Sequence, residues 1–600
     1  MRRRWLLLLV ASLAAFLGSV SPPVSAESKP KRTEAGASTP PVTSERSGYV
    51  RSPYQLRPAE VASASGVVVS GSEQASQAGA AVLDAGGNAV DAAVATAFAL
   101  GVTEPMTSGL GAETFILLRG ADGRIVAIDG SCYVPRLTRG GELHALRTVA
   151  DRGYLLDYKS AAVPGGLAAL AYAIDHYGTK TLADVLAPAI DLAEFGYNLS
   201  VTSHAEVEGL ARFLRPHESV AALFLKDFTD TWGPDHLFCA SDLATTLRRI
   251  AVVGAEDFYR GKIADAIDAD MARNGGYIRK ADLARVRAIE RQPLRDSYRD
   301  LEVITFPYPG GGGTLLEMLH ILESFPTGLL QRDSLDRLHL LIEAARIAWA
   351  DSQVSKLPPS LLDRQLADRG WAAARARLIR FDRALLPSEI TGEAVDPYLT
   401  IGTTQVSVVD RWGNVVGLSQ TLGGFFGAGV VTPGLGFIYN SNLNAFSFTN
   451  PMDPHYVAPG RAAMTALTPT IILKGGKPAF VLGSAGSERV IPTLACVISG
   501  IADRGLDLCD AVAAPRAIWG TNWGDPRPFI ELAGEITPER ADALEKQGFQ
   551  GIYRLMFPAR WMDLAAFGGT NAVAIDPATG MLRGVPDPRR SGCAVALPVR

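Results

Sequence analysis

Cysteine is scarce in this chain of 600 residues: Cys132, Cys239, Cys496, Cys509 and Cys593 are few, odd in number and far apart. No CxxC or zinc-type spacing occurs, so neither a disulfide framework nor a metal cluster is expected. The eight histidines are scattered, with no HExxH and no His-x-His, which removes the common metallohydrolase signature. An excess of one charge is missing as well. With 58 Lys and Arg against 62 Asp and Glu, the formal net charge is −4, and no broad footprint for nucleic acid or anionic lipid results. Gly310 to Gly313 has no Lys-Ser or Lys-Thr after it, so it reads as a turn with close backbone approach, not a phosphate loop. No motif calls for a cofactor.

What is present is apolar material for a large core, at 47% hydrophobic and 20% charged residues. The N-terminus has the layout of a secretory signal over residues 1–26. Arg2-Arg3-Arg4 is the basic region, Trp5 to Leu17 the apolar region, and Val24-Ser25-Ala26 the small-residue cleavage site. The apolar run is too short for a membrane span, and no cysteine near the cut offers a lipid anchor. An exported, periplasmic or extracellular protein is expected. Residues 27–60, rich in Ser, Thr, Pro and Lys, read as a flexible leader.

Order is expected from Gly66, with Val67-Val68-Val69 as a buried strand. Two alanine-rich helices follow, Glu73 to Ala85 and Ala89 to Leu100, broken at Gly86-Gly87 with Asn88 as a cap. Phe115 to Leu118 and Ile125 to Ile128 flank Asp122-Gly123 as a hairpin. From Pro164 to about Glu290 the pattern is mainly helical, and Leu335 to Asp351 is a further helix. Residues 384 to 402, with Pro387, Gly392 and Pro397, look like a loose connector. Beyond it the texture turns to strands. Val406 to Asp410 and Val415 to Ser419 flank the Arg411-Trp412-Gly413-Asn414 turn, and Thr470 to Leu473 pairs with Ala479 to Leu482 across Gly475-Gly476. Helices resume at Val490 to Ser499 and Pro538 to Gln547. Sheets in both halves with helices outside them predict an α/β (α+β) fold of stacked αββα layers, built jointly by residues 61–402 and 403–600.

The candidate chemistry sits at Gly402-Thr403-Thr404, where a threonine follows a glycine at the mouth of a β-branched strand. A threonine hydroxyl inside a chain is a poor nucleophile. If the bond before Thr403 is cut, the same residue gains an α-amine of ordinary pKa near 8, able to act as its general base. The hairpin brings Thr421 back alongside Thr403. Gly483-Ser484-Ala485-Gly486-Ser487 ends a strand just before a helix, where backbone N–H groups suit an oxyanion hole. The Gly427-Ala428-Gly429 and Pro433-Gly434 segments are expected to supply a flexible loop beside the pocket.

In ordered motifs from about Gly66 to Arg600 the chain resembles the γ-glutamyltransferase family of N-terminal-nucleophile hydrolases. The motifs include Gly86-Gly87-Asn88-Ala89-Val90-Asp91, Glu104-Pro105, Ser108-Gly109-Leu110-Gly111, Ala162-Val163-Pro164-Gly165, Asn274-Gly275-Gly276, Gly402-Thr403-Thr404 and Asp587-Pro588-Arg589-Arg590. The resemblance implies a four-layer sandwich and a precursor that cuts itself before Thr403 into large and small chains that stay together. It also implies Thr403 as nucleophile, Thr421 as its supporting hydroxyl, and the amides of Gly486 and Ser487 as oxyanion donors. Ser487 stands where a second glycine is usual.

The substrate end departs from the family. Ser131 stands where an arginine would hold the glutamyl α-carboxylate, and Gly423 where an asparagine is expected. Asn442 is a further candidate contact. Asn444-Ala445 replaces the acidic pair, and Thr465-Ala466 the paired serines. Charge-assisted hydrogen bonds are the strong ones, so losing the arginine and the carboxylate at Ala445 weakens a zwitterionic glutamyl head by a few kcal/mol. The attack machinery reads as kept and the glutamyl clamp as dismantled. The expected activity is amide hydrolysis or acyl transfer on a small-molecule amide or γ-glutamyl substrate, with altered acyl preference. A cephalosporin-acylase-like amidase and a non-catalytic exported binding protein are the alternatives.

Overall fold

The computed structural model describes residues 58–600 apart from 151–154, 227–229, 232–235, 391–401, 523–524, 557–565 and 600. The signal segment and nearly all of the 27–60 leader lie outside the described residues. Two seven-stranded antiparallel sheets dominate. In the first, the strand order is Cys593–Ala596, Gly66–Ser70, Gly402–Asp410, Val415–Gly423, Glu113–Arg119, Ile125–Gly130 and Ile289–Arg291. In the second it is Val61–Ser63, Leu582–Pro586, Gly569–Ile575, Lys477–Ala485, Thr470–Lys474, Leu301–Thr305 and Leu294–Tyr298. Each sheet takes strands from both sides of Thr403, so a cut there leaves two chains hydrogen-bonded through both sheets. Order starts at Val61, whose strand pairs with Leu582–Gly584, a little before the expected Gly66.

Strand periodicity explains the layering, because alternate residues point to opposite faces. Val67, Val69, Phe115, Leu117, Val409 and Val415 turn toward Ile304, Phe306, Ile471, Val481 and Val573 of the other sheet. Phe115 and Phe306 stack at 4.3 Å across this interface. The intervening Val68, Ile116, Leu118, Val406, Val408, Val416 and Leu418 face helices 73–84, 89–103, 166–177 and 182–195. Helices 312–323, 335–354 and 490–502 cover the second sheet. The stacking is αββα.

Helix Ala89–Thr103 is buried on every side, which its small side chains permit, and it starts with a capping box between Asn88 and Asp91. Asp91 also accepts the Thr179 and Lys180 N–H groups, so one carboxylate ties that helix start to a second helix's approach loop. The Gly310–Gly313 segment follows a cis Tyr308–Pro309 bond and leads into helix Gly312–Glu323. A Cβ at Gly312 would lie 2.1 Å from the Phe306 carbonyl oxygen, the close approach that the lone glycine run suggested.

Two expectations need correction. Residues 384–390 are anchored, not loose: the Ala384 N–H donates to the Gln547 carbonyl, Leu385 to Glu343, and Pro387–Ile390 forms a short helix with Ile390 in the core. Residues 391–401 lie outside the described residues. The segment around Gly427-Ala428-Gly429 is likewise no flexible cover, because Phe426, Ala428, Val430, Phe437 and Tyr439 are buried and Ala428 donates its N–H to Tyr439. Sequence reading also missed the strands between 294 and 305 and those after 569; the latter carried a signal, since Asp576-Pro577 to Gly580 and Asp587-Pro588 to Gly592 punctuate them.

Candidate active site

The hairpin of Gly402–Asp410 and Val415–Gly423 is closed by Asp410, whose carboxylate accepts the N–H groups of Trp412 and Asn414, and by Gly413 with φ of +87°. At its open end the register shifts between Gly402 and Thr404, a bulge that turns Thr403 toward the returning strand. There the Thr403 hydroxyl donates to Thr421 Oγ1 at 3.3 Å, and Thr421 donates to the Gly402 carbonyl oxygen. Thr421 Oγ1 also accepts the Gly423 N–H at 2.9 Å. Both threonines are buried. The two hydroxyls and the carbonyl thus form one chain leading from the Thr403 hydroxyl to the Gly402 carbonyl oxygen. A Cβ at Gly402 would lie 3.0 Å from the Gly424 carbonyl carbon, so a larger residue would push the two backbones apart here.

The opposite sheet supplies the other wall. Val481 packs on Gly417, and Gly483 lies against the Gln405 side chain, so Lys477–Ala485 advances toward the Thr403 end of its neighbour. Asn571 fixes that registration by donating to the Gln405 carbonyl at 2.9 Å and accepting from Ser407 at 2.8 Å. Beyond the strand tip, Gly486 has φ of +133° and Ser487 φ of +62°, after which Ser487–Arg489 winds into helix Val490–Ala502. Ser487 adopts a left-handed conformation that favours glycine. The turn accepts a side chain at that position, whose hydroxyl donates to Glu488.

Behind the turn, Asp587, Arg516, Arg589 and Glu531 form a buried network. Arg516 Nη2 reaches Asp587 Oδ2 at 2.6 Å, Arg589 Nη2 reaches Glu531 Oε2 at 2.7 Å, and Arg516 Nη1 holds the Phe567 carbonyl at 2.6 Å. Burial pushes the Asp587 carboxyl up, but Arg516 and Arg589 outweigh it and hold the group below the usual carboxylate range. The Asp587-Pro588-Arg589-Arg590 motif therefore locks the strand that backs Gly486.

Of the expected substrate contacts, Ser131 is fully buried, donating its hydroxyl to Asp129 Oδ1 at 2.5 Å, while Arg291 Nε holds Asp129 Oδ2 at 2.6 Å. Gly423, at φ of +84°, has Asn442 Oδ1 2.5 Å from where a Cβ would stand. Asn442 is therefore beside the Thr421 end of the hairpin. Ala445 lies in an apolar cluster with Leu443, Phe446, Phe448 and Cys132. Its neighbour Asn444 is structural, exchanging hydrogen bonds with the Leu155 backbone. Thr465 and Ala466 belong to another segment, in which the Thr465 N–H donates to the Pro309 carbonyl and the Thr465 hydroxyl oxygen accepts the Leu467 N–H.

One residue escaped the sequence reading. Glu113 lies directly across from Thr421 in the sheet register and is buried. Burial drives its carboxyl well above the usual carboxylate range, opposed by the Cys132 backbone N–H. Only the pairing of strands that lie some 300 residues apart reveals it; a glutamate among Gly111-Ala112 and Thr114 carries no signature of its own. Among the described residues no group of His, Cys, Asp and Glu could hold a metal ion.

A gamma-glutamyltranspeptidase family model matches residues 75–597. The chain belongs to that family. It is accordingly an enzyme, a self-processing hydrolase of N-terminal-nucleophile type, and no non-catalytic reading is needed. The chain is 36% identical over 550 residues to the Acylase ACY 1 proenzyme of Pseudomonas sp. (strain V22), covering 89% of this chain and 93% of that one. It is 32% identical over 540 residues to the Glutathione hydrolase proenzyme of Escherichia coli (strain K12), covering 87% and 90%. Among solved structures, the cephalosporin acylase from Bacillus halodurans superposes with a TM-score of 0.77 at 29% identity, over 91% of this chain and 98% of the other. The family's αββα fold is the one described above. No described helix is long and apolar enough to cross a membrane.

Proposed function

We propose that this gamma-glutamyltranspeptidase-family chain is exported, cuts itself between Gly402 and Thr403, and then hydrolyses or transfers the acyl group of a small amide other than a γ-glutamyl compound. The observation that carries the reading is the hydroxyl chain from Thr403 through Thr421 to the Gly402 carbonyl. In the cut, Thr403 Oγ adds to the Gly402 carbonyl carbon. Its proton passes to Thr421, whose own proton moves to the carbonyl oxygen. Collapse of that adduct breaks the C–N bond and leaves an ester on Thr403 with a free amine. Water hydrolyses the ester and releases the Gly402 carboxylate.

In the mature site the Thr403 amine takes the Oγ proton as that oxygen attacks the substrate amide, and later returns it to the leaving amine. The Gly486 and Ser487 amides at the strand tip supply oxyanion donors. Thr421 holds the Thr403 hydroxyl in line. Water or an acceptor amine then removes the acyl group.

Against glutamyl substrates stand three missing groups, two of them charged: Ser131 spends its hydroxyl on Asp129 where an arginine is expected, Ala445 is packed among apolar groups where an acid is expected, and Gly423 lacks the expected amide side chain. The acylase relatives support the same departure. Mass spectrometry of exported protein should find two chains, the smaller beginning at Thr403. A γ-glutamyl anilide should be turned over poorly and improve with Ser131→Arg and Ala445→Asp together; brisk wild-type turnover would overturn the specificity reading, and a single intact chain the mechanism.

A further inference from the structure

Beside the two threonines the structure leaves a set of buried polar atoms with nothing to bind. Glu113 Oε2 makes no hydrogen bond, and neither Oδ1 nor Nδ2 of Asn442 makes one. Both residues are almost fully buried, at 1% and 2% exposure. Unsatisfied buried polar groups cost about 1–3 kcal/mol each, so a cluster of three in one place calls for an occupant. The cluster adjoins the reacting atoms. Glu113 is the cross-strand partner of Thr421, which puts their Cβ atoms about 5 Å apart, and Asn442 Oδ1 overlies Gly423 two residues further on. The Asn442 amide lies close enough to favour the Glu113 anion yet outside hydrogen-bond geometry.

The charge of this corner is unlike that of a carboxylate clamp. Asp129 lies near Glu113 and, together with burial, disfavours a negative charge there unless a cation is bound. Arg291 approaches Asp129 on Oδ2, while Ser131, at the position that would carry an arginine, bonds to Oδ1. One cation thus faces two carboxyls. Once an incoming cation ionises Glu113, which burial otherwise holds toward its neutral form, the open valences comprise two acceptors, Glu113 Oε2 and Asn442 Oδ1, against one donor, Asn442 Nδ2. A group rich in N–H donors satisfies that count; a carboxylate meets repulsion and offers acceptors to acceptors.

We propose that Glu113, aided by Asn442, determines acyl specificity by receiving a primary ammonium carried on the acyl chain, so that the preferred donors are amino-acyl amides without a carboxylate. The proposal rests on the amide-hydrolase reading above. The length of a glutamate side chain sets the span: the ammonium sits a few bonds from the carbonyl that Thr403 attacks. Asn442 Nδ2 remains available for any oxygen the acyl chain bears. Bound ammonium neutralises the corner, so that binding and charge balance are met by one contact.

Four chromogenic anilides dissect the question, because they differ only in the groups at the chain end: 4-aminobutanoyl (amine alone), glutaryl (carboxylate alone), γ-glutamyl (both) and butanoyl (neither). On the cut enzyme, kcat/KM for the 4-aminobutanoyl anilide should exceed that for glutaryl and for butanoyl by tenfold or more, the difference lying in KM. Glu113→Gln should shrink the 4-aminobutanoyl to butanoyl ratio at least tenfold. Should that variant fail to mature, competition on the wild type decides the matter: n-butylammonium should inhibit butanoyl anilide hydrolysis and butyrate should not. Glutaryl turnover equal to or above 4-aminobutanoyl turnover, equal loss on all four donors in Glu113→Gln, or a cut enzyme inert toward all four would overturn the proposal. Absence of the cut on a gel would instead defeat the self-processing mechanism, so the two failures are distinct.

Discussion

Replacing Thr421 by valine, nearly the same shape without the hydroxyl, tests the relay at the cut. In the uncut chain that hydroxyl donates to the Gly402 carbonyl and accepts the Thr403 hydroxyl, the contacts through which the proposed relay would run. Losing one such donor to a developing oxyanion costs about 2.7–4 kcal/mol, a slowing of roughly 10²–10³-fold. The same change strands the buried Gly423 N–H, which donates to Thr421 Oγ1 at 2.9 Å, for a stability loss of about 1–3 kcal/mol. The two effects separate experimentally. A time course of the two-chain product on a denaturing gel measures the first, and the melting temperature, taken against uncut Thr403→Ala so that cutting does not confound it, measures the second. Thr421→Ser retains the hydroxyl and should cut within about tenfold of wild type. Cutting of Thr421→Val at the wild-type rate, with its expected loss of stability, would refute the relay.

Other outcomes follow from neighbouring geometry. Thr403→Ala should give one intact chain by mass spectrometry, and Thr403→Ser a slower but complete cut. Ser487→Gly should keep activity and shift stability by no more than about 1 kcal/mol in thermal melts, because relief of the left-handed φ offsets the entropy of glycine, whereas Ser487→Val should lose about 2 kcal/mol or more from added β-branching at that φ. Asp587 is held low by Arg516 and Arg589, so its stabilising effect is present above the ordinary carboxylate pKa and is lost as pH falls through its depressed value. Asp587→Asn should flatten that acid limb in melts at successive pH values while costing about 3–5 kcal/mol at neutral pH. Glu113 has the opposite sign: its raised pKa means stability drains as pH climbs above the ordinary carboxylate range, by at most about 1.4 kcal/mol per unit. Glu113→Gln should therefore raise the melting temperature more at neutral pH than at pH near 5.

The sequence by itself determined the local pieces. Asn88 ahead of an alanine run, Asp410 before Trp412-Gly413-Asn414, and the alternation through Val406, Val408 and Val415 each act through neighbours in the chain, and the structure keeps them. The pairing of Gly402 with Thr403 at a strand mouth was legible too, since the proposed nucleophile and its future amine belong to one residue. What only the tertiary structure decided depends on pairing between distant strands. Glu113 faces Thr421 because Glu113–Arg119 lies beside Val415–Gly423; Ser487 is left-handed because the Lys477–Ala485 strand must turn there into a helix; and Asn444, one residue from Ala445, serves the Leu155 backbone. Side-chain periodicity tells which face a residue takes, but not which strand will lie alongside it. The residues proposed for attack therefore lie together in the chain, whereas those proposed to choose the acyl group meet through contacts between segments some 300 residues apart.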